Sequence, residues 1–246
     1  MSFRVLHVDD DPLMRDVVEL SFDLDPAFMV ASCASGDEAL AVAAEWTPDL
    51  ILCDVMMPDM DGPAVLARLR ARKGTAEIPV IFMTARAQES ETERLTALGA
   101  AAVIAKPLDP QALAETLRRH LHAIKFAAGS NELPVRLHAE TARGSQPSAK
   151  LAAAGYNFTE RLRADAASLA AFRTQLKDDA EAPEVPDGML SCVHKLAGAA
   201  GVFNFQAVSA AASALEDAII ERCAGQGAPG IVDAKLAALL ACIARE

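Results

Sequence analysis

Five residues that are distant in sequence carry the chemistry this chain could do: the pair Asp9-Asp10, then Asp54, Thr84 and Lys106. Each ends or directly follows a short apolar run, over Phe3–Val8, Leu50–Cys53, Val80–Met83 and Ala101–Ala105. Apolar runs of four to six residues between turn formers read as buried strands. In an open parallel sheet, ligands gather at the carboxyl ends of the strands. Three carboxylates brought within a few ångströms repel one another unless a cation lies among them, and an all-oxygen donor set favours Mg²⁺ or a similar hard ion. A carboxylate facing such a cation can attack a phosphorus centre, while an ammonium and a hydroxyl hold the phosphoryl oxygens. Lys106 suits the first of these supporting roles and Thr84 the second.

A second reactive group lies 88 residues after that lysine. His194 falls in Leu190-Ser-Cys-Val-His-Lys-Leu-Ala-Gly-Ala-Ala-Gly201, a helical segment rich in small residues. On a helical wheel Met189, Val193, Leu196 and Ala200 form the apolar stripe, and His194 lies roughly 130° from its centre, outward or on the rim. Gly198 and Gly201 neighbour it, although glycine costs a helix about 1 kcal/mol relative to alanine. Glycines beside an accessible imidazole suggest close approach of another surface, and imidazole can accept a phosphoryl group on a ring nitrogen. The other histidines have plainer readings: His7 in the first strand as a core residue, His120 and His122 on a helix, and His138 in a linker. No Cys/His cluster has zinc spacing.

The elements that must position these groups alternate in the first half of the chain. Strands are expected at Phe3–Val8, Met29–Cys33, Leu50–Cys53, Val80–Met83 and Ala101–Ile104. Helices are expected at Pro12–Leu24, Asp37–Trp46, Pro63–Arg72, Glu89–Leu98 and Asp109–Ile124. Pro12 and Pro110 stand at helix starts, where a missing N–H is harmless, and Gly99 at a helix end. Five βα units give a doubly wound parallel (βα)5 sandwich with right-handed crossovers. Residues 127–156 are rich in turn formers and read as a linker, with a helical turn around Val135–Thr141. From Asn157, which with Glu160 resembles a capping box, the chain reads as helices to its end, with a turn at Glu181–Pro186. Later helices cover about Gly188–Val202, Gln206–Cys223 and Ile231–Ala244, an antiparallel four-helix bundle. The fold class is therefore α/β joined to all-α.

Composition narrows the function. Of the net charge of −11, residues 1–124 carry −9 and the remainder −2, and neither half has the basic stripe that nucleic-acid binding calls for. No apolar stretch is long enough to span a membrane, and the N-terminus runs straight into a strand without a signal segment, so a cytoplasmic location is expected. The five cysteines are an odd number with no CxxC pair and read as reduced thiols.

The segments Val8-Asp-Asp-Asp-Pro-Leu-Met-Arg15, Cys53-Asp-Val-Met-Met-Pro-Asp-Met-Asp-Gly62, Met83-Thr-Ala85 and Ala105-Lys-Pro107 resemble the receiver domain of bacterial response regulators. That resemblance implies a flavodoxin-like fold for residues 1–126 and Asp54 as phosphoacceptor. It also implies Mg²⁺ held by Asp10, Asp54 and the Met56 carbonyl, with Asp9 acting largely through water. Thr84 and Lys106 become the switch hydroxyl and the phosphate-binding lysine, and a cis bond is often found at Lys106-Pro107. The position usually taken by a switching aromatic is Val103. Val193-His-Lys-Leu-Ala-Gly-Ala-Ala-Gly-Val-Phe-Asn-Phe205 with Ala212-Ser-Ala-Leu-Glu216 resembles the histidine-phosphotransfer (HPt) domain, over residues 157–246. It departs at Ala197, commonly lysine, and at Asn204, often glycine.

The expectation is a phosphorelay protein: Asp54 accepts a phosphoryl group from a phosphohistidine donor, and His194 exchanges one with a receiver aspartate. Self-catalysed phosphorylation and dephosphorylation replace a metabolic activity, and the partners are a sensor histidine kinase and other receiver or HPt proteins. One alternative makes the bundle a non-phosphorylated docking or output module. A second, an aspartate-nucleophile phosphatase, wants another aspartate two residues after the nucleophile, where this chain has Met56.

Overall fold

The computed structural model describes residues 2–23, 25–85, 88–127, 149–178, 185–226, 228 and 230–246. These residues form two compact units, one organised by a sheet and one that contains Gly155–Glu246.

The sheet unit alternates β1 (Phe3–Val8), α1 (Pro12–Phe22), β2 (Phe28–Cys33), α2 (Gly36–Trp46), β3 (Leu50–Asp54), α3 (Gly62–Arg70), β4 (Val80–Thr84), α4 (Glu89–Ala97), β5 (Ala102–Ala105) and α5 (Leu113–Ala127). The strand order is β2-β1-β3-β4-β5, the doubly wound arrangement whose switch point lies between β1 and β3. β1 runs parallel to both neighbours, with Val8 opposite Cys33 on one side and Cys53 on the other. Asp54 pairs in register with Met83.

The two faces of the sheet are buried by different helices, as period-2 strands require. Leu6, Val8, Ile51, Cys53, Val80 and Phe82 join α2, α3 and α4 residues in one buried cluster. On α1 and α5 the buried residues include Met14, Val17, Val18, Leu117 and Leu121. His7 is fully buried, as its place in the first strand predicts.

Helix starts follow local hydrogen bonding. Asp11 accepts the Leu13 N–H ahead of Pro12. Ser35 accepts the Glu38 N–H while Glu38 accepts the Ala34 N–H, a variant of the capping box whose return bond falls on the residue before the cap. Gly99, at φ +99°, ends α4 as expected. α5 differs from expectation: the Asp109 carboxylate accepts the Gln111 N–H in an Asx turn, and the helix begins only at Leu113.

The remaining helices are α6 (Ala149–Asp178), α7 (Met189–Val202), α8 (Gln206–Cys223) and α9 (Ile231–Ile243), and from Gly155 onward they belong to the helical unit. Asn157 and Glu160 lie inside α6, so the expected capping box is not a helix start. The alanine-rich stretch upstream has high helix propensity and extends the helix to Ala149. α8 lies antiparallel to α7, since His194 meets Glu216 while Ala197 meets Ser209. Phe158 is fully buried, with ring contacts to Phe203 and Phe205, and Leu162 and Leu169 continue its stripe.

His138 and the expected turn at Val135–Thr141 lie outside the described residues, as do positions 181–184 of the turn before α7. The cysteines are free thiols. Burial pushes Cys33 up to about 12 and Cys192 up to about 11, which leaves both as protonated thiols at neutral pH. Among the described residues no helix is long and apolar enough to cross a membrane.

Candidate functional site

The sheet delivers its acids to one edge because its strands are parallel. β1 ends immediately before Asp9, and β3 ends at Asp54 in the adjacent strand. One carboxylate oxygen from each of Asp9, Asp10 and Asp54 falls within 4.8 Å of the others. Asp9 and Asp54 are buried and Asp10 is half-buried. This all-oxygen, triply acidic set fits a hard divalent cation. Thr84 ends β4, Lys106 follows β5, and both are buried. The Lys106 N–H donates to the Thr84 carbonyl at 2.7 Å, which fixes the backbone at those two strand ends. The peptide bond between Lys106 and Pro107 is cis.

Two features of this edge are invisible in the residue pattern alone. The Met56 N–H approaches Asp54 Oδ1 at 3.4 Å, so the loop after β3 turns back toward the acid. Gly62 donates its N–H to the Val55 carbonyl at 3.0 Å. A β-carbon there would run into the Asp54 carbonyl oxygen and lie 2.8 Å from the Phe82 ring. The glycine is required for space, not for a left-handed backbone. Gly62→Ala should therefore displace the end of β3, lowering stability by about 1–3 kcal/mol in urea unfolding. Calorimetry should show weakened Mg²⁺ binding by the same variant. Unchanged values for both would mean that the backbone at Asp54 has slack. Val103, at the position usually taken by a switching aromatic, is half-buried and packs on the core cluster.

The histidine is placed differently from its wheel expectation. His194 is 3 % exposed, and its Nδ1 lies 2.9 Å from Oε1 of the fully buried Glu216 on α8. The wheel assumed one apolar stripe, whereas every residue from Leu196 to Gly201 is buried. α7 therefore has a wide buried arc, and His194 belongs to it. A carboxylate at Nδ1 accepts that nitrogen's proton, which leaves the lone pair on Nε2. Glu216 stood in the sequence only as part of a resembling segment. Its partner is 22 positions away on another helix, so single-helix periodicity could not reveal it.

The two departures near His194 have local explanations. Asn204 sits at φ +67°, a left-handed conformation that asparagine tolerates better than most residues, so it can stand where glycine is common. Ala197 is buried, and its carbonyl accepts a hydrogen bond from Ser209 Oγ at 2.8 Å. That bond ties α7 to α8 three residues after the histidine.

Residues 5–118 match the response regulator receiver domain, which defines the class of the sheet unit. Residues 157–245 match the Hpt domain. The chain thus carries a receiver domain followed by an Hpt domain, the components of two-component phosphorelay signalling.

Over 131 residues it is 32% identical to the probable transcriptional regulator ycf27 of Porphyridium aerugineum, covering 53% of each protein. Over 133 residues it is 33% identical to the DNA-binding dual master transcriptional regulator RpaA of Synechocystis, covering 53% of this chain and 55% of that one. The chain spans about half the length of these curated relatives. Among solved structures, the chemotaxis response regulator CheY4 of Vibrio cholerae is 31% identical, with a TM-score of 0.46 over 49% of this chain and 99% of that one.

Proposed function

We propose that this chain passes phosphoryl groups between histidine and aspartate, with Asp54 and His194 as its two acceptors. The observation that carries the reading is the coexistence of a three-carboxylate cluster at Asp54 and a carboxylate-oriented imidazole at His194.

Asp54 attacks the phosphorus of a phosphohistidine on a partner kinase. The new bond joins a carboxylate oxygen to phosphorus, the bond to the donor's ring nitrogen breaks, and that imidazole regains a proton from solvent. Asp9, Asp10, Asp54 and the Met56 carbonyl would hold the cation, taken to be Mg²⁺, with Asp9 acting largely through water; it would supply positive charge to offset that of the phosphoryl oxygens. Lys106 supplies a fixed positive charge on the same oxygens, and the Thr84 hydroxyl donates a hydrogen bond to one of them.

At His194, the Nε2 lone pair forms a bond to the phosphorus of an aspartyl phosphate as the acyl O–P bond breaks and the aspartate leaves as a carboxylate, while Glu216 holds the Nδ1 proton and balances the positive charge that develops on the ring. Residues 1–126 act as the receiver and 157–246 as the phosphotransfer bundle, with 127–156 between them as the linker, whose last residues from Ala149 are already helical in α6. The partners are a sensor histidine kinase and other receiver or HPt proteins, in the cytoplasm, without direct nucleic-acid contact. The docking-module alternative shares the Asp54 chemistry and differs only at His194.

The test is residue-level mapping of phosphate after incubation with a small phosphodonor and Mg²⁺, and separately with a phosphorylated receiver. Acyl phosphate at Asp54 and base-stable phosphate at His194 are the expected products. Phosphate at neither residue under either condition overturns the proposal.

A further inference from the structure

Asp9 and Asp10 lie in the short connection between β1 and α1, and that connection is tied at several points. The Asp9 N–H donates to the Cys33 carbonyl at 3.2 Å, and the Asp9 carboxylate accepts the Asp11 N–H at 2.9 Å. Asp11 in turn caps α1 through the Leu13 N–H at 3.0 Å. The Asp9 carbonyl is held by a side chain: Nη1 of the half-buried Arg15, one turn into α1, donates to it at 2.7 Å. The guanidinium thus bonds a backbone carbonyl, the group that sets the course of the chain into Asp10.

We infer that Arg15 is a positioning residue for the cation site: its guanidinium anchors the Asp9 carbonyl and so fixes the direction in which the Asp10 carboxylate leaves the turn. The inference rests on the reading of Asp9, Asp10 and Asp54 as a cation site. Two effects of this arginine oppose each other. Its positive charge lowers the attraction of the site for a cation, an effect that solvent and salt screen. Its hydrogen bond holds a ligand-bearing turn in place; loss of a partner bonded to a ligating side chain typically costs 10–100-fold in metal affinity, and a backbone anchor one step further out belongs at the low end of that range. The anchoring effect dominates, because the bond is short and acts on the residue adjoining the ligand.

The sign of one measurement separates the two roles. In calorimetric titration of the full chain with Mg²⁺, Arg15→Met should bind about tenfold more weakly than wild type. Arg15→Lys, which keeps the charge and one donor, should recover most of that loss. Heat is the appropriate readout, because Trp46 is the single tryptophan and its carbonyl is bound by Arg4 near the amino end of β1. Thermal melting in EDTA reports the fold separately, and Arg15→Gln replaces the methionine variant if that one unfolds. Arg68→Met, which removes an exposed arginine paired with Asp37, controls for net charge and should leave Mg²⁺ affinity unchanged. Equal or tighter Mg²⁺ binding by Arg15→Met, or no recovery with lysine, overturns the positioning role. Asp10→Ala distinguishes that failure from a wrong site: if this variant also binds Mg²⁺ like wild type, the cation site itself is misassigned.

Discussion

Asp54→Asn should abolish acyl phosphate formation from a small phosphodonor while leaving the receiver folded. Asparagine has nearly the same shape, and its side-chain oxygen can still accept the Met56 N–H that approaches Oδ1 at 3.4 Å. What it lacks is the anionic oxygen that attacks phosphorus, and an amide does not substitute as a nucleophile. The expected fall in initial rate is on the order of a thousandfold or more, limited by the assay background. Stability should move the other way in metal-free buffer. Carboxylates 4–5 Å apart repel by about 3–4 kcal/mol per pair at an effective dielectric of about 20. Only part of that survives screening at a strand edge, so a gain of about 1–2 kcal/mol is expected from removing one of the three charges. Phosphate uptake by the asparagine variant at the wild-type rate, on Asp9 or Asp10, would remove Asp54 from its assigned role.

The receiver half was legible in the sequence because its strands are short apolar runs ended by chemically distinctive residues. A buried parallel strand has to be apolar along its length, and the next residue emerges at the ligand-bearing edge. Reading Phe3–Val8 or Val80–Met83 therefore locates Asp9 or Thr84 at the same time. Helix limits were less legible wherever a side chain competes with the backbone. Asp109 forms an Asx turn, and α5 starts at Leu113 instead of Asp109. Asn157 and Glu160 carry a capping pattern within a continuous helix, where Glu160 pairs with Arg163. A three-residue spacing serves both uses, so the pattern alone does not choose between them.

Three residues that shape the candidate sites stood in the sequence only as members of the resembling segments, and the contact each one makes had no signal of its own, each for a different reason. Gly62 is demanded by the approach of α3 to the Asp54 carbonyl, although its own backbone conformation is ordinary. Arg15 acts on a carbonyl six positions earlier, a contact that depends on how α1 leaves the sheet. Glu216 reaches His194 from a separate helix. Periodicity assigns faces within one element, and it fails where consecutive residues are all buried, as along Leu196–Gly201.

His194 and Glu216 give the experiment that decides between a relay and a docking module. His194→Gln in the full chain should eliminate base-stable phosphate after exposure to a phosphorylated receiver, with thermal unfolding close to wild type. Glu216→Gln should be slower, not inactive. The glutamine oxygen can still accept the Nδ1 proton and keep Nε2 as the nucleophile, but the negative charge facing the ring is lost. A hydrogen bond to a charged acceptor is worth about 1.5–3 kcal/mol, against about 0.5–1.5 kcal/mol for a neutral one. A difference of about 1.4 kcal/mol realised as charge builds on the imidazole is a tenfold loss in transfer rate. Stability should not fall with it, because among the described residues the buried Glu216 carboxylate has a hydrogen bond at Oε1 and none at Oε2, and the neutral amide carries a smaller desolvation cost. A rate unchanged in Glu216→Gln would reduce the pair to a packing contact. Base-stable phosphate persisting in His194→Gln would end the assignment of His194, and the bundle would then be read as a surface that docks without accepting phosphate.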